Sequence, residues 1–372
     1  MFSRNEAWRS KPTRWGILGD GSTAMDFSRA LSQTNSHEVV ACCSLREWTP
    51  AVCLDMHTLE VEEERTAESL LARSDIDAVL IDASLSDAPR LAWNSLEAGK
   101  SVLCNPPLSM DQSESDALER LARQQNVVVT ELSPHRHHPV IKNLRSRSKE
   151  YNLGNLVLVD IEDGCDEGFL HGMHIRKKPW ANVLSLAQRS ARYINLVQVI
   201  LNSSDRIMRA TIHDWGICNH LRKEGISKSS SPFAPNSFGT MALVSMQTAE
   251  GVLISIRLSA TMRLRNSITV VGTSGRVEFS SPYDSSSSWL AVSQSEPSQT
   301  KQKTVEWSLE TAMIAEADRL SSLSNGTLID RVEAHKCARV TARVLQHFKT
   351  SLFRSRPMQL DRRHLSAGNR RR

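Results

Sequence analysis

The chain has 372 residues, 40% of them hydrophobic and 23% charged, a balance that suits two globular domains with ample core. Its longest apolar stretches stop short of the roughly 18 residues a membrane-spanning helix needs, and Met1 to Arg14 has no apolar signal-peptide core, so the reading excludes a membrane partner. The formal charge of +5 is local: seven arginines after Phe353 (354, 356, 362, 363, 370, 371 and 372) face Asp361 alone, leaving the body close to neutral. This tail lacks interleaved aromatic residues and the body has no matching basic stripe, so no nucleic-acid partner is expected.

Residues 1–13 read as a solvated extension. From Arg14 to Leu132, apolar runs alternate with helical patterns at the spacing of a parallel sheet covered on both faces. Strands are expected at Trp15 to Leu18, Val39 to Ser44, Ala78 to Asp82, Ser101 to Cys104 and Val127 to Glu131. Helices are expected at Thr23 to Gln33, Ala67 to Arg73, Ala88 to Ala98 and Gln112 to Gln125, the last capped from Ser109 or Asp111. This segment, 14–133, is the first domain.

Past Pro134 the pattern changes. One helix, a strand near Leu156 to Ile161 and a helix from Leu184 to Leu201 precede a succession of alternating runs: Arg206 to Ile212, Thr240 to Gln247, Val252 to Leu258, Ser267 to Val271 and Gly275 to Phe279. With no helices between them, these runs imply a large, mostly antiparallel sheet, and hence an α+β second domain over 134–353. Helices from Leu309 to Leu323 and Leu328 to Phe348 close it, and 354–372 is read as a solvated basic tail. Two polar segments, Arg222 to Asn236 and Ser280 to Ser288, read as loops.

The first strand runs into Gly19-Asp20-Gly21-Ser22-Thr23-Ala24 and then a helix. This is the Gly-x-Gly-x-x-Ala loop in the strand-turn-helix setting that dinucleotide binding requires. Gly19 permits the turn, Gly21 lets backbone approach a pyrophosphate, and Ala24 allows close helix packing. Asp20 would sit near those phosphates and repel them unless turned to solvent. At the end of the second strand, Arg46 would favour the 2′-phosphate of NADP, whereas the adjacent Glu47 would favour NAD; the reading takes NADP, with NAD as the alternative.

Other constellations carry less. Seven cysteines (42, 43, 53, 104, 165, 218 and 337) never form Cys-x-x-Cys and fall mostly in apolar runs, as reduced residues of a cytoplasmic protein would. His135-Arg136-His137-His138 lacks a third ligand at helical spacing, so no metal is assigned and a solvated or cleft-lining cluster is expected. His171 and His174 are read the same way. Asp160, Glu162, Asp163, Asp166 and Glu167 read as a solvated strand end and loop.

With the glycine loop, Asp75-Ile-Asp-Ala-Val-Leu-Ile81, Leu96-Glu-Ala-Gly-Lys-Ser-Val-Leu-Cys104 and Val270-Val-Gly-Thr-Ser-Gly-Arg-Val277 in order, the chain resembles the glucose-fructose oxidoreductase, inositol dehydrogenase and MocA family. The likeness runs over nearly its whole length. Trp15-Gly-Ile-Leu, Asp26-Phe, Arg136 before Pro139 and Leu153-Gly-Asn-Leu look most like the dimeric dihydrodiol dehydrogenase branch. The resemblance implies a Rossmann domain, a C-terminal domain with an open sheet used for dimerisation, and hydride transfer between NADP and a sugar, polyol or dihydrodiol. It implies a cofactor site made from Gly19, Gly21, Ser22, Thr23, Ala24 and Arg46, with Ser84 and Asn105 beside it.

The family's catalytic residues do not carry over. Pro106 falls where the family has its lysine and Asn105 where it has glutamate. The second catalytic segment, Asp-x-Gly-x-His-x-x-Asp or the same with tyrosine for histidine, matches Gln188-Arg-Ser190-Ala-Arg192-Tyr-Ile-Asn195, so Arg192 replaces the acid/base residue. Ser84-Leu-Ser-Asp-Ala-Pro89 replaces a Pro-Asn-x-x-His segment. Oxidising a hydroxyl needs a group that accepts its proton; proline has none, and arginine stays protonated. Tyr193, a quarter-turn along the helix, is a poor substitute. Two readings follow: an oxidoreductase with its acid/base moved to Tyr193 or a histidine of 135–138, or a non-catalytic nucleotide-sensing or scaffolding protein.

Overall fold

The computed structural model describes residues 11–19, 21–45, 61–146, 151–164, 179–201, 207–215, 241–259, 263–280, 286–293 and 300–354. Asp20, Arg46, Glu47, His171, His174, the loop at 222–236 and the basic tail lie outside these residues.

The alternation in the first third builds one sheet. Its elements are β1 (Thr13–Gly19), α1 (Ser22–Leu31), β2 (His37–Cys43), β3 (Glu62–Glu63), α2 (Ala67–Leu71), β4 (Ala78–Asp82), α3 (Ala88–Glu97), β5 (Ser101–Cys104), α4 (Gln112–Gln124) and β6 (Val129–Glu131). The strand order is β3-β2-β1-β4-β5-β6, and every neighbouring pair is parallel. Strands β4 and β5 are buried along their whole length, as central strands covered by helices on both faces must be. Trp15 and Phe27 meet edge to face at 5.0 Å, locking α1 to β1. The short β3 was not anticipated, because two exposed glutamates at a sheet edge carry no apolar signal.

A single 3₁₀ turn, Pro134–His137, leads to α5 (Pro139–Arg145), β7 (Leu156–Gly164) and α6 (Pro179–Leu201). Then come β8 (Ile207–Trp215), β9 (Met241–Thr248), β10 (Leu253–Ser259), β11 (Ser267–Gly272), β12 (Gly275–Ser280), β13 (Ser286–Ser293) and β14 (Thr300–Glu306). Together they form an eight-stranded sheet in the order β14-β13-β12-β11-β7-β10-β9-β8. All its pairs are antiparallel except β7 with β10. Burial alternates strictly along β9 and β11, so one face carries Val244, Ile256, Ile268 and Val270 into a core shared with α5 and α6.

The expected loop at Ser280 to Ser288 is strand at both its ends, while residues 281–285 lie outside the described residues. Ser280 ends β12, and Ser286, Ser287 and Ser288 open β13, paired with Glu306, Val305 and Thr304. Strands at a sheet's rim are held by ladder hydrogen bonds and need no apolar alternation, which is why β13 and β14 were illegible.

Two helices, α7 (Leu309–Ser324) and α8 (Leu328–Arg354), end the described chain. Helix α7 packs back on the first sheet, placing Met313, Ala317 and Leu320 in one core with Trp15, Ile17 and Phe27. His37 of β2 reaches Asp318 of α7 at 2.9 Å while accepting a hydrogen bond from Trp15 Nε1. Among the described residues no helix is long and apolar enough to cross a membrane.

Candidate functional site

The order of the first sheet reverses between β1 and β4, and the crevice outside the carboxyl ends of those strands is where such sheets bind ligands. Gly19 ends β1 there, in register with Asp82 at the end of β4. Its φ of +138° is open only to glycine, and an added Cβ would strike the Asp82 carbonyl. Gly21 then caps α1 without contributing a side-chain hydrogen bond. The missing cap comes from another strand: Asp82 Oδ2 accepts the Ala24 N–H at 2.9 Å. Asp82 Oδ1 accepts from Asn105 Nδ2 at 2.8 Å, and Asn105's own N–H donates to the Ile81 carbonyl at 2.8 Å. A Cβ on Gly21 would collide with the same carboxylate.

The structure therefore brings Gly19, Gly21, Ala24 and Asn105 together, around a residue the sequence reading missed. Asp82 is 9% exposed, and its one signal was a charge ending an otherwise apolar run. Ser22 is exposed and Thr23 buried at the start of α1. Ser84 stands just beyond β4, where its hydroxyl donates to Asp87 Oδ2 at 2.6 Å ahead of α3. The backbone suits a dinucleotide's pyrophosphate, with glycines at the turn and a ten-residue helix pointing its N-terminus at the space, but the Asp82 carboxylate lies over Gly21 in that space.

A second polar corner adjoins the first. After Asn105 the chain passes through the Pro106-Pro107 pair, and the next N–H, from Leu108, donates to Glu131 Oε1 at 2.7 Å. Glu131 Oε2 accepts from Asn195 Nδ2 at 2.6 Å, and Thr341 Oγ1 donates to Asn195 Oδ1 at 2.9 Å. Burial pushes the Glu131 carboxyl up to about 7, against the pull of its two donors. These bonds set α6 against the strand ends of the first sheet. Arg192, three residues before Asn195, is half-buried, and its charge helps keep His135 neutral. Tyr193 is 2% exposed and belongs to the apolar core beneath the large sheet.

The histidine run is neither solvated nor a cluster facing one cleft, because each ring finds a different partner. His135, 1% exposed, pairs its Nε2 with Ser133 Oγ at 2.9 Å, and burial, reinforced by Arg136, lowers it to about 3. His138, fully buried, lies against Phe279 and Trp307 and is lowered by burial to about 4. His137 Nε2 meets Glu316 Oε1 at 2.8 Å. Glu316, on α7, is also fully buried and holds Arg136 and Arg319, each at 3.0 Å, and the Ser133 N–H at 3.1 Å. Burial alone would raise its carboxyl, but Arg319, Arg136 and the His137 bond outweigh it and hold it well below the usual range.

The acidic strand end is likewise paired rather than simply solvated. Arg257 bridges Asp160 and Glu162, and Arg189 holds Asp163 at 2.8 Å; Asp166 and Glu167 lie outside the described residues. Among the described residues no group of three or more His, Cys, Asp or Glu side chains is placed to hold a metal ion.

Residues 13–132 match the model of an oxidoreductase family with an NAD-binding Rossmann fold. The trans-1,2-dihydrobenzene-1,2-diol dehydrogenase of Xenopus tropicalis is 28% identical over 156 residues, 41% of this chain and 47% of that protein. The chain thus spans about half of that relative's length. The Bos taurus enzyme of the same name is 23% identical over 275 residues, covering 72% of this chain and 74% of its own. Among solved structures, the 3-ketoreductase KijD10 of Actinomadura kijaniata, in complex with NADP and TDP-benzene, superposes with a TM-score of 0.71 at 17% identity. That alignment covers 91% of this chain and 97% of KijD10, a likeness of fold.

Proposed function

We propose, since the chain belongs through residues 13–132 to the glucose-fructose oxidoreductase, inositol dehydrogenase and MocA oxidoreductase family, that it binds NADP(H) and turns over little or no substrate. It then acts by sensing the nucleotide or by scaffolding, with a small hydroxylated compound such as a sugar, polyol or dihydrodiol as second ligand. What supports this is Pro106, which by the resemblance falls at the family's lysine position and has no side-chain group to move a proton. Bound nicotinamide would supply a hydride acceptor or donor, and the backbone of Gly19 to Thr23 would hold its phosphates. Every other requirement falls on the chain. Arg192 can anchor an anion or polarise a carbonyl but stays protonated. Tyr193 is enclosed in the core, and His135 and His138 are buried with partners of their own.

One observation favours the second reading, slow oxidoreduction with a relocated base. Glu131, raised to about 7 at the same strand ends, has the affinity for protons that a base needs at neutral pH. Both its oxygens are engaged, so Leu108 or Asn195 would have to release one first. We further read the protein as a cytoplasmic homodimer. Cys42, Cys43 and Cys104 are buried and outside any disulfide, and Leu253 stands 51% exposed on the open face of the large sheet, beside the half-buried Leu158 and Val271. A monomeric mass by light scattering at micromolar concentration would remove the dimer.

Calorimetric titration with NADP(H) and NAD(H), followed by a redox screen over dihydrodiols, polyols and aldoses, tests the whole. Selective NADP(H) binding with little turnover is expected. The double change Pro106→Lys with Arg192→Tyr should raise turnover where either single change does little. Robust wild-type turnover would overturn the reading, and turnover that also survives Glu131→Gln and Tyr193→Phe would overturn the relocated base as well.

A further inference from the structure

Asp82 stands where the nucleotide reading needs a phosphate. Its carboxylate covers Gly21 so closely that a methyl group could not be added there, and it takes the Ala24 N–H at 2.9 Å. A helix N-terminus attracts an anion through its free N–H groups and its dipole, and here an anion is built into the chain. We infer that Asp82, held in place by Asn105, is an internal occupant of the phosphate cradle, and that it must release the α1 N-terminus before a dinucleotide can bind. The inference rests on the nucleotide reading above and fixes the residue that sets its affinity.

Three observations converge on this. Asp82 lies at the switch point itself, in register with Gly19, so its side chain enters the crevice from the adjacent strand. It is 9% exposed, so its charge is poorly screened from an arriving pyrophosphate. Asn105 accounts for the arrangement: a glutamate at that position would bring a second carboxylate against Asp82, whereas the amide donates to Asp82 Oδ1 at 2.8 Å. The departure at 105 and the acid at 82 thus form one device. The charges near Asp82 include Asp26 on α1, whose carboxyl is raised by burial, against the pull of Arg29, and in part by Asp82 itself. That second acid adds to the negative field a phosphate would have to enter.

The test titrates wild type, Asp82→Asn and Asp82→Ala with NADPH and, separately, with inorganic pyrophosphate, after thermal melts confirm that each variant is folded. Asp82→Asn keeps the shape and can still accept from Ala24 while losing the charge. Both variants are expected to bind NADPH and pyrophosphate at least tenfold more tightly than wild type. Folded variants that bind both probes no more tightly than wild type overturn the inference, whether wild type binds well or not at all. Tighter pyrophosphate binding without any NADPH binding sustains the cradle and its occupant but overturns the nucleotide reading.

Discussion

Replacing Glu316 by Gln should unfasten the last third of the chain from the first. The carboxylate is fully buried and neutralises two arginines, one from the exit turn of the first domain and one from its own helix, while accepting from Ser133 and His137. The amide keeps the shape but leaves Arg136 and Arg319 facing each other with no anion. Removing one partner from a buried ion pair costs about 3–5 kcal/mol. At roughly 1.3 °C per kcal/mol for a chain of this length, the melting temperature should fall by about 4–6 °C. Near-ultraviolet circular dichroism at pH 7 reads this directly. The sign with pH is also fixed. Glu316 is depressed below its unfolded value of 4.5, so its stabilisation is present above that value and is lost as pH falls further. The gap between wild type and variant should therefore hold from pH 7 to about 5 and narrow below it. A variant melting within about 1 °C of wild type at pH 7 would refute the reasoning, since a buried tetrad of this kind cannot lose its one anion silently.

Gly21→Ala should cost about 1–3 kcal/mol, because its Cβ has no room beside the Asp82 carboxylate, and adding Asp82→Ala should recover part of that loss in a melt. Glu131 has its folded value raised to about 7 from 4.5, so its contribution is complete below about 4.5 and declines as pH rises to 7. Glu131→Gln should flatten the pH dependence of urea midpoints between 5 and 8; an unchanged slope would contradict the assignment. Thr66 caps α2 reciprocally with Ser69, and Thr66→Ala should cost about 1 kcal/mol in the same assay.

Much of the framework was legible because burial wrote it into the pattern. Strands β4 and β5 were read to the residue, since strands covered on both faces must be apolar throughout, and Gly19 and Gly21 announced the turn because no other residue fits it. What stayed hidden depends on partners distant in sequence. Asp82 looked like the polar end of a strand, and only the fold carries it to Ala24, fifty-eight positions earlier. Glu131 and Asn195, separated by 64 positions, likewise become a pair only when α6 docks. The histidines misled because adjacency in sequence suggested a cluster, but Ser133 beside the turn, Glu316 on α7, and Phe279 with Trp307 draw the three rings to different places. Pro106 and Arg192 could be placed from the motif, whereas the enclosure of Tyr193 could not.

The seat of α7 bears on how the molecule comes into being. The first sheet and its helices are synthesised early, yet the face that presents Trp15, Ile17 and Phe27 stays uncovered until Met313, Ala317 and Leu320 have left the ribosome. The nascent first half thus waits with apolar surface exposed while the whole second sheet is made, a condition that favours chaperone engagement. A fragment cut at residue 133 would keep that exposed face permanently, and a chain truncated before residue 309 would fail in its first domain as well as its last.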